Sequence, residues 1–103
     1  MAISPDSFHG QLTNSKATLF TCTGDTKLLL ISLVNTHTAA VTINIYLHDG
    51  TASRRISAKD KSLASGQAYY LSGPWNLESG DLIEGEASTT TVVDYWGSVE
   101  VKS

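Results

Sequence analysis

The stretch LESGDLIEGEASTT, Leu77 to Thr90, holds the residues of this chain whose types and spacing come nearest to chemistry. Glu78, Asp81, Glu84 and Glu86 fall within it, with Gly80 and Gly85 between them. Two carboxylates on one side of a strand are the arrangement a glycosidase uses, one as acid and the other as base or nucleophile. At strand period Leu82, Glu84 and Glu86 share one side and Ile83, Gly85 and Ala87 the other, which sets Glu84 and Glu86 about 7 Å apart. That spacing also suits a solvated outer face. Ser79-Gly80-Asp81 reads as a turn, with the glycine able to take a positive φ and its neighbours able to cap backbone groups. The spacing of a calcium loop is absent. The expectation is a turn followed by an exposed strand face, with no catalytic pair.

The other reactive residues are scattered. His9, His37 and His48 lie far apart in sequence, and no pair of ligands stands at the short spacing of a zinc site. Cys22 is the only cysteine, so an internal disulfide is excluded and the side chain reads as a small buried apolar group. There is no nucleophile elbow, no phosphate-binding glycine loop and no dinucleotide fingerprint. The reading is therefore no catalytic residue, no metal and no cofactor. Arg54-Arg55 could meet a phosphate or a partner's carboxylate, or simply charge the edge of a sheet.

The frame that must position these residues is small. A chain of 103 residues fits one domain and buries about 65% of its extended surface, enough for one core. Charged residues are 17%, below the roughly 25% of an average soluble domain. A surface low in charge and rich in Ser and Thr suits a protein that lives in an assembly. The net charge of -3 gives no basic field to hold nucleic acid. The start, MAISPDSFHG, lacks the charged and apolar regions of a signal peptide, and LLLISLV (Leu28 to Val34) is too short to span a bilayer. Synthesis in a cytoplasm, with no membrane partner, is the expectation.

Period two dominates the chain. VTINIYLHDG alternates, with Val41, Ile43, Ile45 and Leu47 on one face and Thr42, Asn44, Tyr46 and His48 on the other, before an Asp49-Gly50 turn. Lys27 to Val34 is nearly all apolar, as in a strand covered on both faces, and is expected to form a hairpin with the run after it. A short strand is expected at Ala68 to Leu71, closed by Gly73-Pro74, with Trp75 in a loop plugging the sandwich end. Further strands are expected at Ala17 to Cys22, Leu82 to Ala87 and Thr91 to Val101. Residues 1–16 read as a polar arm and 17–103 as a single all-β domain, an antiparallel sandwich of jelly-roll or immunoglobulin-like type.

The aromatic residues carry more information than the acids. In the last strand Val93, Tyr95, Gly97, Val99 and Val101 share one face, while Val92, Asp94, Trp96, Ser98 and Glu100 share the charged and therefore outward one. Trp96 and Tyr46 both fall on outward faces, which marks either a contact surface or a surface covered by the arm. The candidate interface residues are Tyr46, Arg54, Arg55, Trp75, Val92 and Trp96.

The order of pieces from about Thr18 to Val101 resembles small phage virion proteins, the β-sandwiches that decorate heads or join necks and tails. The resemblance rests on LLLISLVNTHTAA, VTINIYLHDG, LASGQAYYL, LESGDLIEGEAS and VVDYWGSVEV; the GPW before NLESGD departs from the pattern. It implies a non-enzymatic structural protein that binds other virion proteins at head, neck or tail as a homo-oligomer and resides in the virion. The alternative is a carbohydrate-binding module or adhesin tip, in which Trp75, Trp96, Tyr46 and the Tyr69-Tyr70 pair stack on glycan rings. That platform requires two or more of the rings coplanar on one exposed face.

Overall fold

The computed structural model describes residues 3–102. Alternation of apolar and polar residues folds most of them into nine strands: β1 (Ile3–Gln11), β2 (Ala17–Thr21), β3 (Asp25–Asn35), β4 (Val41–His48), β5 (Ser53–Arg55), β6 (Lys61–Leu63), β7 (Ala68–Leu77), β8 (Leu82–Ala87) and β9 (Val93–Lys102). A four-stranded sheet has the order β1-β9-β3-β7. A five-stranded sheet has the order β2-β8-β4-β5, with β6 also on β4. All pairings are antiparallel. Apart from β5 and β6, each strand lies in the sheet opposite its predecessor, so the chain winds between the layers as in a jelly roll. The two inner faces close on Leu12, Leu28, Ile31, Leu33, Ile43, Ile45, Ile83 and Val99, all of them buried.

Expectations are corrected in three regions. The β3 and β4 runs form no hairpin, because each finds its partners in a different sheet. Asn35 makes the crossing possible. Wholly buried, it donates from Nδ2 to the carbonyls of Ala39 and Leu63 at 3.0 and 2.9 Å and accepts from the His37 amide at 2.8 Å. A buried backbone corner needs such partners, and one amide side chain supplies several. β3 is also not covered on both faces, since Leu30 is 38% exposed on the outer side.

The polar arm is the second correction, made for residues 3–16; Met1 and Ala2 lie outside the described residues. Residues 3–11 pair with β9 along their whole length, from Ile3 opposite Lys102 to Gln11 opposite Asp94. Their sequence looked like an arm because an edge strand with one face in water needs few apolar residues. Phe8 is the exception and the anchor. Its buried ring lies on Gly97 of β9, where an added methyl would run into it, and 5.3 Å from the Phe20 ring across the sheets. Leu12, just past the strand, is wholly buried, its amide donating to Val93 and its carbonyl accepting from Thr91.

Third, β7 does not stop at Leu71. It runs on through a cis Gly73–Pro74 peptide to Leu77, with Trp75 opposite Leu28, and the register shifts at Leu28/Leu30. Trp75 is thus a strand residue, half-buried against the core, and no plug in a loop.

Candidate functional site

The opening acids come first. In the turn, Asp81 Oδ2 accepts from the Glu78 amide at 2.8 Å, and Gly80 has a φ of +94°. The Gly80 amide and Asp81 carbonyl bond Cys22, which fastens this turn to the corner between β2 and β3. In β8, Glu84 and Glu86 do point to the same side, the outer face of the five-stranded sheet, opposite Tyr46 and Asn44. The face is not the solvated one expected. Glu84 is only 8% exposed and Tyr46 only 7%.

Side chains of neighbouring strands close over that face. Ser53 donates to Glu84 at 2.5 Å, and the Tyr46 hydroxyl donates to Glu86 at 2.9 Å. Asn44 accepts from the Asp60 amide and from Arg55 Nε, and donates to the Asp60 carboxylate, at 2.9, 3.0 and 2.9 Å. Lys16 and Arg55 lie over the Tyr46 ring, 4.9 and 5.2 Å from its centroid. Burial, and after it the hydrogen bond to Glu86, push the Tyr46 hydroxyl above its usual pKa. No described buried side-chain polar atom lacks a partner. The two carboxylates thus accept bonds from a hydroxyl each, inside a closed network.

Arg54 is exposed on the other side of β5, opposite Leu47, and its charge helps hold the Asp49 carboxyl below the ordinary range. The main cause of that lowering is the pair of amide bonds from Ala52 and Thr51, which complete the expected Asp49-Gly50 turn. Val92 precedes β9 and packs partly against the core. Its carbonyl accepts from the Thr36 amide and hydroxyl at 2.8 and 2.7 Å, so it closes a sandwich end and does not flank Trp96. Cys22 is buried, and burial raises its thiol pKa.

The outer face of the four-stranded sheet is different. One row across it reads His9, Trp96, Ser32, Tyr70, from β1 to β7. Trp96 is 54% exposed and Tyr70 61%, and the His9 ring stacks on the indole at 4.5 Å and 12°. The next row reads Ser7, Ser98, Leu30, Ser72, small residues around one apolar side chain. Beyond it lie Lys27 opposite Glu100 and Asp25 opposite Lys102, and these four line a cleft together with Ile3, Leu77 and Glu78. Of the six expected interface residues only Trp96 is on this face. Tyr70, Leu30 and His9 share the face and are not among the six. The alternation in Ala68-Tyr69-Tyr70-Leu71 carried the signal for Tyr70, since Leu71 points to the core.

No family model matches the chain, and no curated protein matches its sequence. Its fold is matched in solved virus particles. In the crystal structure of the infectious bursal disease virus particle, 96% of this chain superposes on 31% of a chain, at a TM-score of 0.58 and 10% identity. In the VP2 subviral particle of the same virus, 97% superposes on 32%, at 0.54 and 12%. In the acid-stable capsid structure of the Helicobacter pylori bacteriophage KHP30, 97% superposes on 87%, at 0.55 and 10%. The chain therefore spans about a third of the infectious bursal disease virus chains and most of the phage chain. At these identities the shared property is the all-β fold.

Proposed function

We propose that this chain is a structural component of a phage virion, without enzymatic activity, present in many copies and attached to other virion proteins at the head, neck or tail. The observation that carries this reading is the match to a chain of a phage capsid structure along nearly the whole length of both. The surface supports it. The Glu84 and Glu86 carboxylates are engaged in a closed network, and the four-stranded sheet leaves a broad face open, with Trp96 and Tyr70 exposed and its charges gathered toward the ends. Large rings in water favour association. The protein would be made in the host cytoplasm and reside in the virion, with virion proteins and its own copies as partners. With a net charge of -3 it has no excess of basic charge with which to hold nucleic acid.

The test is quantitative mass spectrometry on gradient-purified particles of the phage that encodes the chain. Multiple copies per particle are expected. A chain abundant in infected cells but missing from the particles overturns the reading.

One observation favours a second reading, glycan binding by an adhesin tip. Trp96 and Tyr70 are two exposed rings on one face, in one row. The other candidate rings do not join them: Tyr46 is buried, and Trp75 and Tyr69 pack partly against the core. His9 covers one side of the indole. A glycan array that retains the wild-type chain and loses it on Trp96→Ala would put this reading first.

A further inference from the structure

We infer that a second copy of this chain covers the open face, the two four-stranded sheets stacked about a two-fold axis that runs along the strands between β3 and β9. Such an axis exchanges β9 with β3 and β1 with β7 in the facing copy, because the sheet order is β1-β9-β3-β7. Each row then meets the same row reversed.

In the rows of Trp96 and Leu30 the reversal fits side chain to side chain, while at the margin it sets Asp94 on the copy's Val34. Trp96 comes down on the copy's Ser32, and Leu30 on its Ser98, large on small in both cases. Tyr70 meets the copy's His9, ring against ring. The charges fit as well. Lys27 lies opposite Glu100 within one chain and Asp25 opposite Lys102. Exchanging the two strands brings Lys27 to the copy's Glu100 and Asp25 to the copy's Lys102, so no like charges meet. An axis across the strands at Trp96 would instead stack β9 on itself, indole on indole.

The area is sufficient. Four strands about 4.8 Å apart and about ten residues long at 3.3 Å make a face of roughly 600 Å². Two such faces bury about 1,200 Å², the lower limit for a specific, stable interface. Aligned sheets cross at about −30° because each is twisted, so contact is closest at the middle Leu30 row, with the Trp96 row beside it, and widens toward the charged ends, where long lysine side chains can still reach. This pairing does not depend on the virion reading. It is measured on the purified chain, whereas that reading is measured on particles.

The test is sedimentation equilibrium on the purified full chain. A species of twice the 11.0 kDa chain mass is expected. Trp96→Ala should raise the dimer dissociation constant by about thirtyfold, as for an interface hot spot. Ser32→Arg, on an outward strand position, should give a folded monomer. Lys27→Glu should weaken the dimer, and adding Glu100→Lys should restore it, while circular dichroism shows every variant folded. Three outcomes overturn the proposal: a wild-type monomer at the highest soluble concentration, a trimer or larger ring, or a dimer indifferent to Ser32→Arg. A monomer that binds a glycan or another virion protein through Trp96 assigns the face to that partner instead.

Discussion

The two outer faces of this sandwich are built on the same alternation and end in opposite states. On the five-stranded sheet Tyr46 donates to Glu86, Ser53 to Glu84 and Asn44 to Asp60, and Arg55 and Lys16 close over the Tyr46 ring. On the four-stranded sheet Trp96, Tyr70 and Leu30 remain in water, and the side-chain hydrogen bond nearest them, Gln11 to Asp94 at 3.0 Å, lies at the margin. A polar face satisfied from within its own chain has little to offer a partner. A face of large rings beside serines keeps apolar area in water that a partner would cover. Burial therefore locates the surface available for contact better than the number of polar residues does.

Breaking the comparison begins where the open sheet is anchored. Phe8→Ala should cost about 3–4 kcal/mol, because it empties the site over Gly97 and beside Phe20. Hydrogen exchange should then show β1 released first, with the open face narrowed by one strand. If Phe8→Ala leaves stability and β1 protection unchanged, residues 3–11 behave as an arm after all.

Next comes the closed face. Asn44→Ala should cost about 2 kcal/mol in urea unfolding, since it strips partners from Arg55 and from Asp60, whose φ of +49° is held by two of those bonds. A change near zero would mean that this network does not hold the face closed.

Tyr46→Phe removes a single donor and should cost about 1 kcal/mol near neutral pH. The pH dependence has a definite sign. The folded pKa of Tyr46 lies above its unfolded value, so the contribution is fully present below about pH 10 and is lost as pH rises through the folded pKa. The gap between wild type and Tyr46→Phe should therefore shrink in strongly alkaline solution. Burial raises the Tyr95 hydroxyl as well, so part of the alkaline loss should persist in the variant.

The smallest effect is expected on the open face. Trp96→Ala should change the unfolding free energy of the monomer by no more than about 0.5 kcal/mol, as for a surface site, provided stability is measured at a concentration where the chain is monomeric. A large loss there would mean that the indole already serves the folded monomer through its stack on His9, and the contrast between the faces would fail.

Much of this was legible in the sequence, because the side-chain period of a strand is local. Val41, Ile43, Ile45 and Leu47 had to share a face, as did Glu84 and Glu86, whatever the rest of the chain did. The all-β class, the Asp49-Gly50 turn and the Ser79-Gly80-Asp81 turn follow from residues a few positions apart. What period two cannot say is which strand lies beside which, or what lies above an outward face. The crossing at Asn35 depends on carbonyls of Ala39 and Leu63, one of them 28 residues away. The strand made by residues 3–11 depends on β9, at the other end of the chain. Tyr46 and Trp96 both read as outward rings, and both are; only the tertiary fold brings Arg55, Lys16 and Glu86 over Tyr46 and leaves Trp96 covered on one side by His9. Local sterics set the direction of a side chain, and long-range pairing decides whether water reaches it.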